Sequence, residues 1–211
     1  MTDPKKRTCV YIDGFNLFRG AIEGTTHKWL NLQRFFEMLR PDDDIVAINY
    51  FSALMVGDQG VRQQEYLRAL DTLPKLRIFL GKYKTKRVLC NVRQCTHAGD
   101  RMIFKWEEKR TDVNIAIRML DDAYQDLSDN IVLVSGDSDL VPALHAVKLR
   151  FPNKRLIVYV PARDRIRGAA VEIRSAADRN ATLPLALLPK AQFPPELLDG
   201  DGTPIRKPPG W

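Results

Sequence analysis

Asn130-Ile-Val-Leu-Val-Ser-Gly-Asp-Ser-Asp-Leu-Val-Pro142 is the stretch that decides how the rest of the chain is read. Residues 131–134 are a short apolar, β-branched run, the pattern of a fully buried strand. Ser135 and Gly136 end it, and Asp137 and Asp139 follow at once. Leu140, Leu144 and Val147 then recur at helical spacing. The order is strand, loop, helix, with two carboxylates in the loop. In an open parallel sheet, the loop leaving the carboxyl end of a strand is where ligands bind. Paired carboxylates there suit a hard divalent cation, because Mg²⁺ and Mn²⁺ prefer oxygen ligands. The plainer alternative is that Asp137 closes a turn while Asp139 or Ser138 caps the helix.

A second site of the same kind lies far upstream. Residues 9–13 read as a buried strand that delivers Asp13 at its carboxyl end. Gly14, Phe15 and Asn16 read as a turn, and Leu17 with Phe18 opens a helix. Asn16 is placed to hydrogen-bond a ligand, a water or a carboxylate; a plain Asp-Gly turn is the alternative for Asp13. Residues 31–39 form a helix capped by Asn31 and ended by Pro41. Strands follow at 45–51 and 77–80. Between them come a loop at 57–60 and a helix marked by Val61, Leu67, Leu70 and Leu73. This alternation predicts a doubly wound, mostly parallel sheet.

Residues 111–127 form the clearest helix, with Thr111 as N-cap. Val113, Ala116, Ile117, Leu120, Ala123, Tyr124 and Leu127 are its apolar stripe. Asp112 in its first turn either complements the helix dipole or adds a third carboxylate to the same pocket. A strand at 154–160 and a basic loop at 161–168 come next, then a helix at 169–177. A last edge strand is expected at 181–188, since Pro184 does not suit a central one.

The 211 residues are 45% hydrophobic, enough for one sizeable core. No apolar run approaches the roughly 20 residues of a membrane span. The first residues lack a signal-peptide core, so a cytoplasmic location is expected. Three cysteines argue against a disulfide framework. The net charge of +7 favours an anionic partner. Most of that charge sits in 82–110, where nine basic residues face three acids. This stretch reads as a protruding basic insertion. Lys82, Lys84 and Lys86 would share one face of an extended strand; with Arg87, Lys109 and Arg110 they are the candidates for binding nucleic-acid phosphates. A charge-blunted edge strand is the alternative. Cys90, Cys95 and His97 offer three zinc ligands at loose spacing with no fourth, so reduced thiols are expected rather than a structural Zn²⁺. The organisation is therefore 1–188 as one domain, with the insertion at 82–110, followed by a proline-rich tail at 189–211. The tail is expected to wrap the surface or stay partly disordered, with Leu197, Leu198 and Trp211 as anchors.

Asp13, Asp112, Asp137 and Asp139 thus fall at two strand ends and a helix start. Carboxylates gathered in a low-dielectric cleft repel one another and call for a cation. A divalent ion held this way activates water and stabilises charge on a phosphorus centre. With a basic insertion to hold a polyanion, phosphodiester hydrolysis is the natural reaction. No Walker loop, Gly-x-Gly-x-x-Gly or Gly-x-Ser-x-Gly elbow offers a competing chemistry.

Three motifs carry a family resemblance: Tyr11-Ile-Asp-Gly-Phe-Asn16, Lys109-Arg-Thr-Asp-Val113 and Val134-Ser-Gly-Asp-Ser-Asp139. Together, in this order, they resemble the NYN domain family of the PIN-like superfamily, which also includes the flap nucleases. The resemblance spans about 9–178. It implies a Rossmann-like, three-layer α/β PIN fold and a Mg²⁺- or Mn²⁺-dependent ribonuclease; an endoribonuclease, with RNA expected over DNA, is the leading expectation, while the sequence alone leaves the choice of RNA or DNA and of internal cleavage open. Asp13, Asp112 and Asp137 correspond to the family's acidic metal site, Asn16 to its asparagine and Asp139 to its second loop acid. The 90–97 segment and the tail are not part of the family pattern. Two other readings stand beside this one. A nucleic-acid-binding module with a non-catalytic or regulatory metal site would keep the same residues. A small-molecule metal enzyme would have no need of the basic insertion.

Overall fold

The computed structural model of the chain describes residues 4–92, 96, 99, 102–164 and 170–211, and the backbone alone of 105 and 106. In chain order the first half contains β1 (Lys6–Asp13), α1 (Gly14–Leu17), α2 (Leu32–Leu39), β2 (Asp43–Ser52), α3 (Gly57–Asp71) and β3 (Leu76–Leu80). A ribbon of β4 (Lys82–Leu89) and β5 (Met102–Lys109) follows. The second half contains α4 (Thr111–Tyr124), β6 (Asn130–Val134), α5 (Val141–Arg150), β7 (Arg155–Val160), α6 (Val171–Ser175) and β8 (Arg179–Thr182). Two short strands, β9 (Glu196–Leu198) and β10 (Pro204–Arg206), close the chain.

Among the described residues, six strands form the central sheet in the order β3-β2-β1-β6-β7-β8, and every pairing is parallel. The chain winds outward from β1 in one direction, then returns to β6 and winds the other way. The seam between β1 and β6 is therefore the topological switch point, where strand ends open a crevice. Alternation along β1 feeds both faces. Val10 and Ile12 pack with Trp29, Phe35, Phe36 and Leu70. Cys9 and Tyr11 pack with Ile115, Met119, Leu144 and Val147 on the other side. Both faces are covered by helices, which is why the central strands are continuous apolar runs. The mixed α/β, mostly parallel architecture read from the sequence is the one observed.

Several local expectations need correction. Residues 57–60 are not a loop but the first turn of α3. The glycine signal has a packing cause: a Cβ on Gly60 would lie 2.2 Å from the Met55 carbonyl oxygen. Thr111 is the first residue of α4 rather than its cap; Arg110 holds the cap position at φ +79°. The buried face of α4 is turned from the expected stripe, of which Ala123 is buried and Leu120 and Leu127 pack at the core's edge. Ile115, Met119, Asp122 and Ala123 are buried, while Val113, Ile117 and Tyr124 are exposed. The buried carboxylate of Asp122 goes with this rotation. It accepts from Tyr11 Oη at 2.7 Å and pairs with Arg118 at 2.7 Å, so a polar residue points inward. The last strand ends at Thr182; residues 185–191 form a 3₁₀ segment that Pro184 precedes.

The proline-rich tail lies on the α2–α3 side. Trp29 Nε1 donates to the Pro194 carbonyl at 2.8 Å, Ile205 is fully buried, and Trp211 packs on Tyr66 at 5.8 Å between ring centroids. Leu197 packs against the core and Leu198 is exposed. No described helix is long and apolar enough to cross a membrane.

Candidate active site

The site is built at the switch point. Asp13 ends β1, and α1 begins at the next residue. A Cβ on Gly14 would lie 2.6 Å from the Phe51 carbonyl oxygen and 2.7 Å from the Tyr50 ring. Glycine there lets the helix start directly behind the strand. Asp13 then caps that helix, its Oδ1 accepting from Asn16 N at 2.9 Å. Its Oδ2 accepts from the Ser135 hydroxyl at 3.0 Å. The same hydroxyl accepts from Asp137 N at 3.0 Å, and Asn16 Oδ1 accepts from Gly136 N at 3.1 Å. The two strand-end motifs are thus joined by side-chain bonds across the seam.

Asp137 does part of what the plainer reading gave it. Its Oδ1 accepts from Asp139 N at 3.0 Å and caps a 3₁₀ turn, Ser138–Leu140, that leads into α5. Capping uses one lone-pair direction of one oxygen and leaves carboxylate capacity over. Asp112 comes from the first turn of α4. One carboxylate oxygen from each of Asp112, Asp137 and Asp139 lies within 4.8 Å of the others. Burial pushes the Asp112 carboxyl above the usual carboxylate range, and the charges of Asp137 and Asp139 add to this.

Asp13 is not one of the three that come within 4.8 Å. It lines the same cleft as Asn16, Asp112 and Asp137, about 640 Å³ in volume. It is only 5% exposed, and burial pushes its pKa up to about 7. The hydrogen bonds from Asn16 and Ser135 oppose that rise, while Asp112 and Glu108 add to it.

Glu108 is the residue sequence reasoning missed. It lines the cleft, accepts from Thr111 Oγ1 at 2.6 Å and is raised chiefly by burial. In the sequence it registers only as a countercharge in the basic stretch. Its position near the end of β5, four residues before Asp112, is the signal that could have found it: a strand feeding a carboxylate-bearing helix start.

The ribbon brings its two faces to different places. Lys84 pairs across from Glu107 and Lys82 from Lys109. Lys82, Lys84 and Lys86 are all exposed and share one face. Tyr83, on the alternate face with Arg87, is the residue of β4 that lines the cleft. Arg87 lies over the Phe104 ring at 5.9 Å. Lys109 pairs with Glu107 at 2.8 Å, and Arg110 holds the α4 cap position through its backbone while its side chain is exposed. Of the zinc candidates, Cys90 is half-buried, and Cys95 and His97 lie outside the described residues. Arg165 and Arg167 of the basic loop also lie outside them.

A second hollow of about 330 Å³ opens beside the cleft, walled by Tyr50, Tyr66 and Trp211. Phe15, Arg19, Met55, Gln59 and Tyr83 line both. Arg19 holds its guanidinium 5.3 Å above the Phe15 ring centroid. The spacing of these two residues, four apart just after Asp13, is a second overlooked signal.

Comparison with known proteins gives three findings. The family model described as NYN domain matches residues 7–183. A curated relative, 6-hydroxy-3-succinoylpyridine 3-monooxygenase HspA of Pseudomonas putida, is 29% identical. That match takes in 79% of this chain and 63% of the relative, so the chain spans less than two thirds of that protein's length. The crystal structure of VPA0982, a protein of unknown function from Vibrio parahaemolyticus, superposes with a TM-score of 0.52 at 16% identity, covering 87% of this chain and 96% of that one. This last likeness concerns the fold alone.

Proposed function

The chain belongs to the NYN domain family, and from that premise we propose that it is a divalent-metal-dependent ribonuclease cutting phosphodiester bonds within RNA. The single observation that carries this reading is the mutual approach of Asp112, Asp137 and Asp139 at the switch point. The donor set fits the ion. It is all oxygen, as Mg²⁺ and Mn²⁺ prefer; the upward shift of Asp112 comes first from burial and then from the charges of Asp137 and Asp139, and a cation would offset both. Asp112, Asp137 and Asp139 would hold the metal, with Asp13 and Glu108 lining the same cleft.

When bound, such an ion lowers the pKa of a coordinated water and offsets charge on the phosphoryl oxygens. The chain's own residues supply the rest. Ser135 and Asn16 hold Asp13 and the Gly136–Asp137 loop in one arrangement. In the reaction a water oxygen bonds to phosphorus and the bond from phosphorus to the leaving ribose oxygen breaks. The water's proton passes to a nearby carboxylate oxygen, and the leaving oxygen takes up a proton. Lys82, Lys84, Lys86 and Arg87 draw the strand toward the cleft from the ribbon.

Incubating the pure protein with end-labelled single-stranded RNA and DNA, with Mn²⁺, Mg²⁺ or EDTA, tests this directly. Internal cuts in RNA that need the metal are expected. A metal-bearing module that binds RNA and leaves it whole is the opposite outcome. A second reading follows from the curated relative, whose name concerns a pyridine. The aromatic hollow beside the cleft is what favours it, and a free heteroaromatic ligand is therefore a competitor in the experiment below.

A further inference from the structure

We propose that the aromatic hollow beside the carboxylate cleft receives one unstacked base of single-stranded RNA, from a nucleotide flanking the phosphate to be cut. This rests on the ribonuclease reading of the cleft and assigns a further subsite to it.

Continuity is the first ground. Phe15, Arg19, Met55, Gln59 and Tyr83 belong to both hollows, so whatever fills the aromatic one abuts the carboxylates. Size is the second. At about 330 Å³ the hollow sits at the low end of the roughly 300–1,000 Å³ of small-ligand sites. It suits a single ring system and is far too small for a helix. A paired base would have to leave its stack to enter, which favours strands already single.

The walls match a base. Tyr50 and Tyr66 are buried walls of the hollow and Tyr66 packs on Trp211, so the open ring surface is that of Phe15, with the half-buried Tyr83 and Trp211. Phe15 is a large ring kept 40% exposed at the boundary of the two hollows, under the Arg19 guanidinium. Stacking on such rings is how proteins hold unpaired bases. Polar groups are divided sensibly. The Gln63 amide is consumed by Met55 N, Ser52 Oγ and the Ala53 carbonyl, and so builds the wall. Lys28 and Arg62 line the hollow and make no ion pair among the described residues, which suits the phosphates on either side of a buried base.

The test is binding in EDTA, where nothing is cut. Fluorescein-labelled single-stranded RNA octamers are titrated against the full chain by anisotropy, alongside the same octamer with abasic riboses. The abasic strand should bind about tenfold more weakly, the scale of one lost stack. Phe15→Ala should weaken ordinary RNA to the abasic level and leave the abasic strand unchanged. Tyr83→Ala should do the same, and Tyr83→Phe should restore binding. Adenosine monophosphate should compete for the labelled RNA, and pyridine-3-carboxylate should not. Equal affinity for abasic and ordinary strands overturns the proposal even if Mn²⁺-dependent cleavage is observed. Competition by pyridine-3-carboxylate without competition by the mononucleotide also overturns it. Base-dependent binding with no cleavage in Mn²⁺ supports the subsite while contradicting the ribonuclease reading.

Discussion

The Ser135 hydroxyl donates to Asp13 Oδ2 and accepts from Asp137 N, both at 3.0 Å, and so joins the ends of two adjacent parallel strands. Ser135 is fully buried. Its removal strands one carboxylate oxygen and one backbone N–H, and a buried unsatisfied group costs about 1–3 kcal/mol. Ser135→Ala should therefore lower unfolding stability by about that amount in urea titrations and weaken Mn²⁺ binding. A variant with unchanged stability and Mn²⁺ affinity would mean the bond is incidental.

Gly14 is constrained by space. An alanine there meets the Phe51 carbonyl and the Tyr50 ring at 2.6–2.7 Å. Gly14→Ala should destabilise by about 1–3 kcal/mol, the usual cost of overpacking, and displace Asp13. Thermal melts and RNA cleavage should fall together. Full activity with a normal melt would show that α1 shifts freely.

Asp13 is a buried carboxylate facing other acids. Asp13→Asn keeps an acceptor for Asn16 N, and its amide can donate to the Ser135 oxygen. In EDTA this variant should melt at the same temperature or higher, since a buried charge is gone. On adding Mn²⁺ the parent should gain more stability than the variant, by linkage to binding. Differential scanning fluorimetry reads both. A large loss of stability in EDTA would assign Asp13 to the scaffold instead.

The three site motifs were legible because each is a short strand end or helix start carrying an acid. The buried runs of 9–12 and 131–134 announce themselves, and the acids after them, though each also caps a turn or helix, sit at strand ends where a site forms. The facing of α4 was not legible. Its sequence offers a second apolar face through Ile115 and Met119, and the long-range bond from Tyr11 to Asp122 goes with the burial of that face. That choice turns the helix by about a third of a turn and sets Asp112 on the same face as Met119. Glu108 and Tyr83 were hidden because a net charge describes a stretch and says nothing of which face each residue occupies.

Lys82, Lys84 and Lys86 occupy the ribbon face away from Tyr83. The ribonuclease reading therefore assigns them to affinity rather than to the chemical step. Lys84→Glu with Lys86→Glu should weaken single-stranded RNA binding and flatten its salt dependence by about 0.7 in logarithmic slope for each phosphate no longer neutralised. Cleavage at saturating RNA should be nearly unchanged. A fall in the saturated rate with an unaltered salt slope would place these lysines in the chemistry.

The claim that Asp112, Asp137 and Asp139 gather a catalytic cation is tested most directly by Asp137→Asn. The substitution keeps size and hydrogen bonding and removes one of three clustered charges. Parent and variant, purified in parallel, are compared for single-turnover cleavage of end-labelled single-stranded RNA in Mn²⁺, with melting temperature measured on the same samples. The variant should melt at or above the parent temperature and cut at least about a hundredfold more slowly, since loss or misplacement of the ion removes its activation of water. A variant that melts normally and cuts at the parent rate would contradict the account and leave Asp137 as the residue that caps a turn.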